Sequence, residues 1–218
     1  MIYSIGGKNV ALVNIFGIVL WLVVLGCIWF TIHNIRKRRL RRLVKHQYQF
    51  SGKDFTISTI LVLITVLLLG VASYFTFFRD VDLEDQTAVT LKYDYEPLVM
   101  TQIGGKFYDV KVENGNGKQP QQHYTYWVKG ARYQITSNNA TVVAGPKPLN
   151  IAAANYPWPK KELARQDKKY EQTFAATLQA TYKSTVLNGL GLRAGRTAMH
   201  YTIIRVPNSS VIHMAPVK

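Results

Sequence analysis

The side chains able to do chemistry in this 218-residue chain are few and scattered. Asp94 and Glu96, in YDYEP, form a candidate carboxylate pair or cation site, as do the acids of DVDLED (80–85). Glycosidase carboxylates normally come from separated segments, so acids this close in sequence read first as solvated surface. Three histidines, His123, His200 and His213, lie beyond the apolar N-terminal part. They form no HExxH, no i,i+4 pair and no Cys–His set, so neither a metal nor a cofactor is expected. Neither GxSxG nor SxxK occurs, which leaves a serine hydrolase without its usual mark. Gly189-Leu190-Gly191-Leu192-Arg193-Ala194-Gly195 is glycine-rich, but it follows a predicted helix instead of opening one. A phosphate cradle needs the helix N-terminus after the glycines, so this segment reads as a tight turn and strand entry.

Cys27, the single cysteine, closes Val24-Leu25-Gly26-Cys27, which is similar to the box before a lipidated cysteine. The residues after it, IWFTI, stay apolar where a mature lipoprotein turns polar, and the leader has one positive charge before a long apolar run. A small apolar side chain inside a membrane helix is the better account. The sequons at Asn139 and Asn208 matter only in a host that glycosylates such sites.

The net charge of +15 on its own would suit a nucleic-acid binder. Its distribution says otherwise. Val10 to Ile32 is 23 residues without a charge, and Ile57 to Phe78 is 22 more. As helices, each would cross roughly 30 Å of hydrocarbon. Between them, residues 33–56 carry eight Lys/Arg against one acid, Asp54. Arg36, Lys37, Arg38, Arg39, Arg41, Arg42 and Lys45 supply seven of the eight, Lys53 the last. A short basic connector beside two spans is retained in the cytoplasm, which puts both termini outside. These cations also suit contact with anionic lipid, and no nucleic-acid partner is expected. The expected division is a tail at 1–9, spans at 10–32 and 57–78, a cytoplasmic loop at 33–56 and an extracytoplasmic domain at 79–218. Gly17, Gly26 and Cys27 on the first span, with Gly70, Ala72 and Ser73 on the second, are small enough for close helix approach. No Asp, Glu, Lys, Arg or His lies inside either span, which argues against ion or proton transport by this chain alone.

The C-terminal 140 residues have no cysteine and read as α+β. TAVTLKYDY (87–95) alternates apolar and polar residues as a half-buried strand does. FYDVKV (107–112), HYTYWV (123–128), ARYQIT (131–136) and TVVA (141–144) are further strand candidates, with a turn at Asn114-Gly115-Asn116-Gly117. Prolines 157 and 159 suit a helix start. A helical period then predicts one long helix from Lys160 to about Asn188, with Leu163, Tyr170, Phe174, Leu178 and Thr181 on one side. MHYTIIRV (199–206) and VIHMA (211–215) read as a closing hairpin, so the expected domain is an antiparallel sheet with one long helix. Lys161, Arg165, Lys168 and Lys183 would form a basic helix face, either solvated or in contact with an anionic surface. Tyr124, Tyr126, Trp127 and Trp158 are candidate surface aromatics for stacking on a sugar or a partner protein.

YDYEPLVM (93–100), HYTYWVKGA (123–131), NYPWPKKELA (155–164), TYKSTVLNGLGLRAGR (181–196) and IRVP (204–207), after two apolar runs and a basic connector, resemble a particular family. It is an uncharacterised family of small two-span membrane proteins of lactic-acid bacteria. The resemblance implies a Gram-positive plasma membrane with the domain facing the wall, and it supplies no activity or catalytic residue. The leading expectation is a non-catalytic envelope protein whose external domain binds a membrane protein, a lipid or an anionic wall polymer. The alternatives are an enzyme, or accessory subunit, acting on a lipid-linked or wall substrate, and a regulator acting through the polybasic loop. Oligomeric state is not legible.

Overall fold

The computed structural model describes residues 4–44, 52–115 and 121–215. The chain divides into two compact units, Met1–Asp82 with Tyr182–Arg196, and Leu83–Thr181 with Thr197–Lys218.

The first unit is helical. Helix α1 (Ser4–Val44) runs 41 residues, about 60 Å at 1.5 Å per residue. It does not stop at Ile32. Lys, Arg and Leu are strong helix formers, and Arg38 donates its Nε to Asn34 Oδ1 one turn back at 2.8 Å. The basic run from Arg36 to Arg42 is therefore a charged extension of α1 instead of a loop; Lys45 lies outside the described residues. Helix α2 (Gly52–Ser73) ends in a π-helical turn, Tyr74–Phe78. The two helices meet at Val24 and Ala72, both fully buried. Thr65 gives its hydroxyl hydrogen to Leu61 O at 2.8 Å, so in the 2.9 Å contact between hydroxyls Thr31 is the donor. Trp21 donates to Thr76 Oγ1 at 3.2 Å. Of the small residues expected to bring these helices together, Ala72 is buried between them, while a Cβ on Gly26 or Gly70 would meet nothing within 4 Å.

The second unit has three layers: two sheets and a helical layer. Strands β1 (Val89–Pro97), β8 (Phe174–Tyr182) and β9 (Thr197–Val206) form one four-stranded sheet with β7 (Ala140–Ala144), in the order β1-β8-β9-β7. Strands β4 (Val110–Asn114), β5 (Gln122–Val128), β6 (Ala131–Thr136) and β10 (Ile212–Ala215) form the other, ordered β10-β4-β5-β6. A small hairpin, β2 (Thr101–Ile103) and β3 (Lys106–Tyr108), precedes β4. The turn from β5 to β6 is tight because Lys129 and Gly130 both take positive φ, 49° and 78°.

Alternation along the strands sorts side chains between two cores. Phe174, Ala176 and Leu178 of β8, with Tyr201 and Ile203 of β9, pack with Leu163 and Trp158 of the helical layer. That layer consists of α3 (Ile151–Ala154) and α4 (Lys160–Lys169) with the segment between them. Ala175, Ile204 and Val206 face the opposite way, onto Val110, Val112, Tyr124, Tyr126 and Val128 of the other sheet. One charged pair crosses the first core. Arg205 is 1% exposed and donates its Nε to Asp167 Oδ1 at 2.9 Å, Nη2 to Oδ2 at 3.2 Å and Nη1 to Val143 O at 3.2 Å.

Three expectations need correction. The long helix does not exist: α4 ends at Lys169, and residues 174–182 are strand β8. The stop is made by Glu171 and Gln172, both at positive φ, with Gln172 N donating to Asp167 O at 2.9 Å, the bond that ends many helices on a glycine. The closing hairpin does not form either, because β9 pairs with β8 and β7 while β10 pairs with β4. The sheets are also not purely antiparallel, since β7–β9 and β4–β10 are parallel. The coarse α+β reading stands, with two apolar helices followed by sheets.

Candidate functional site

Beside Tyr126, Val128 and Ala175 of the core that the two sheets of the second unit share, the lining turns polar. On β1, Tyr93 and Tyr95 face the helical layer, so Asp94 and Glu96 face the other way. There they line a cavity of about 100 Å³ with Thr177 of β8 and His200 of β9. Tyr126 and Tyr133 form the opposing wall, their rings stacked at 5.6 Å and 15°. Burial pushes the Tyr126 hydroxyl up to about 12, so it stays protonated. At the rim, Lys129 reaches from the β5–β6 turn and donates its ammonium to Glu96 Oε1. That bond, with the fields of Glu96 and Asp94, holds the ammonium above its ordinary range. The cavity therefore sets carboxylates beside aromatic faces, a setting that suits an alkylammonium group and in which the chain's own Lys129 already occupies Glu96.

The structure gathers only part of what the sequence put forward. Asp94, Glu96 and His200 meet, but His123 stands opposite Glu113 and Thr136, and His213 packs on Tyr108 at 4.8 Å. Among the described residues no group of three His, Cys, Asp or Glu side chains is placed to hold a metal ion. Tyr124 and Tyr126 are 7% and 6% exposed and belong to the inter-sheet core. Trp158, also buried, lies 5.9 Å from Tyr93 under the helical layer. Only Trp127 of the four aromatics keeps partial exposure. Lys161, Arg165 and Lys168 do lie exposed on α4, with Arg165 paired to Glu162 at 2.7 Å. Lys183 is not on that helix; it follows β8, in the first unit. A further buried acid went unnoticed in the sequence. Asp109, 0% exposed, opens the step into β4, and burial pushes its carboxyl up.

A second site, in the first unit, was also passed over. The glycine segment that read as a strand entry carries a short helix, α5 (Val186–Leu190), and packs on the apolar helices. A Cβ on Gly189 would sit 2.2 Å from Val13 O, and one on Gly17 would sit 2.4 Å from Gly189 O. Gly191 and Gly195 stand equally close to Phe75 O and Val10 Cγ1, with Cβ distances of 2.6 and 2.5 Å. Asn14 Nδ2 donates to Ala194 O at 3.1 Å. Arg193 donates Nη2 to Thr76 O at 2.9 Å and Nη1 to Arg79 O, so its guanidinium caps carbonyls at the end of the π-helical turn. The available signal was the density of glycine, which marks close backbone approach as readily as a turn.

A protein-family model, described as “:-like”, matches residues 12–213. The chain belongs to this family. Its description names no activity, in keeping with the resemblance to an uncharacterised family carried by the sequence motifs. The family's span begins inside α1 and takes in both apolar helices, the glycine segment and both sheets. The comparisons with curated proteins and with solved structures found no match.

Proposed function

We propose that this is a two-span protein of the plasma membrane that acts by binding, with its sheet unit outside the cytoplasm. One observation carries the membrane reading. Both helices are long and apolar enough to cross a bilayer, and of the most apolar stretch of each only 11% and 6% is buried. A core helix of a water-soluble protein buries most of such a stretch, whereas a lipid-facing helix exposes it. Leu22, Leu63 and Leu67, for example, are each more than 60% exposed. The basic end of α1 sets the orientation by charge retention, leaving the C-terminal part outside.

The exposed cations Lys161, Arg165 and Lys168 on α4 favour an anionic envelope polymer or an acidic protein as partner. Single-cysteine variants on a Cys27→Ser background test both parts. A membrane-impermeant maleimide on intact cells should label Lys168→Cys and spare Lys37→Cys; the reverse pattern overturns the orientation. A photo-crosslinker at residue 168 should return the same adduct in repeated trials, and its absence overturns the binding role of α4.

The cavity favours a second reading, in which the sheet unit takes an ammonium-bearing ligand as an envelope enzyme or its accessory subunit. Its support is the convergence of Asp94, Glu96 and His200 on one cavity. Under it, the solubilised protein binds an alkylammonium probe such as tetramethylammonium, Glu96→Gln combined with His200→Ala abolishes that binding, and Lys161→Glu with Lys168→Glu preserves it. The opposite pattern removes this reading and strengthens the first.

A further inference from the structure

We propose that residues 182–196 form a third membrane-contacting element, with α5 below the polar boundary and Val186 and Leu187 among lipid acyl chains. The proposal rests on the two-span reading and adds to it. Its first support is depth. The segment packs on α1 at Val10, Val13 and Gly17, and the apolar stretch of α1 starts at Val10. Val13 and Gly17 are then roughly 5 and 10 Å inside that stretch along the helix axis. On the neighbouring helix the contact is at Phe75, and that apolar stretch ends at Phe78. Two independent markers thus place α5 about one turn inside the apolar zone.

The second support is the face α5 leaves open. Val186 and Leu187 are 57% and 49% exposed. Leu12, Ile15 and Phe16 of α1 and Phe77 of the π-helical turn, neighbours in sequence of the residues this segment packs on, are exposed apolar side chains as well. Lys183 and Arg196, both exposed, flank the segment where long cationic side chains can reach headgroups.

The third support is the backbone. Non-helical chain at membrane depth survives only when its polar groups find partners in protein. Here Gly189 N, Leu192 N and Arg193 N donate to Thr185 O, Gly189 O and Asn188 O, each at 2.9 Å. Gly195 N and Tyr182 N close the base of the loop, onto Tyr182 O and Arg196 O, at 2.9 and 3.0 Å. Asn188 Nδ2 donates to Lys183 O at 3.0 Å. These bonds meet that requirement for the groups named.

Depth measurement by spin label tests this on the full-length protein in phosphatidylglycerol–phosphatidylcholine vesicles. Nitroxides are placed at Leu187→Cys, at Leu63→Cys on α2 and at Lys161→Cys on α4, each with Cys27→Ser. Collision with oxygen relative to a water-soluble nickel chelate should be several-fold higher at 187 than at 161, and lower than at 63, which lies deeper in its span. Val186→Cys serves as a second position should Leu187→Cys fold poorly. If residues 186 and 187 follow 161 while 63 reports lipid, the insertion of α5 is wrong and the two-span reading stands. If 63 also reports water, both fall.

Discussion

Replacing Asp167 by alanine is expected to destabilise the sheet unit by about 3–5 kcal/mol, a large part of the 5–15 kcal/mol typical of a whole domain. The reason lies in what remains. Arg205 sits in the middle of the first sheet, paired with Val143 on β7 and Phe174 on β8, and its guanidinium is fixed between apolar side chains. Asp167, itself only 14% exposed, takes two of its hydrogen bonds. Without that carboxylate, the buried guanidinium is left in the core with Val143 O as the acceptor that remains to it. Arg205→Lys should also cost stability, because an ammonium cannot reproduce the two-pronged contact. The double variant Asp167→Leu with Arg205→Met should recover most of the loss, since an apolar pair of similar volume avoids the desolvation cost. Thermal unfolding of the solubilised protein, read beside limited proteolysis of the sheet unit, gives the comparison. A loss below about 1 kcal/mol for Asp167→Ala would show that the pair is solvated and not a core contact.

The same region shows what the sequence could and could not convey. The two charge-free runs and the alternation of 87–95 declared themselves, because each is encoded by neighbours in the chain. The end of α4 did not. Glu171 and Gln172 adopt the left-handed conformation that glycine usually marks, so no stop residue was visible. Phe174 and Leu178 then kept the illusion of a helix, since a spacing of four falls on one face of a strand as well as of a helix. Strand partners were equally hidden. Whether β10 joins β9 or β4 depends on contacts about 100 residues apart in sequence, and adjacency alone suggested the wrong one. The cavity was half legible: the chemistry of Asp94, Glu96 and His200 could be named, but only the packing of two sheets brings them to one place. Tyr124 and Tyr126 looked like surface aromatics because a strand with a tyrosine at every second position does not say which face is inside.

The glycine segment does lead by turns into β9, as read, but its packing on α1 was not legible, and it supports a sharp experiment. Gly189→Ala should release α5 from α1 or force the two apart, at a cost of about 1–3 kcal/mol or more. The added carbon would stand 2.2 Å from Val13 O and 2.5 Å from Val13 Cγ1. The nearer neighbour is helix backbone, which cannot rotate out of the way as a side-chain tip can. Gly17→Ala meets the same surface from the other side, 2.4 Å from Gly189 O, so the two substitutions together should cost less than their sum. The controls are built into the same helices. A Cβ on Gly26 or Gly70 meets nothing within 4 Å, and alanine is favoured over glycine inside a helix by about 1 kcal/mol. Gly26→Ala and Gly70→Ala should therefore be neutral or stabilising, although all four positions are glycines in apolar helices or against them. Trypsin reports the result directly, because undocking exposes the bond after Arg193, whose guanidinium is held on Thr76 O and Arg79 O in the docked segment. Cleavage there should accelerate in Gly189→Ala and Gly17→Ala and stay at the parent rate in the two controls. Equal rates across all four would mean that the segment does not rest on these helices. Faster cleavage in the first pair alone would locate the close approach at the glycines, and not in the apolar character the helices share.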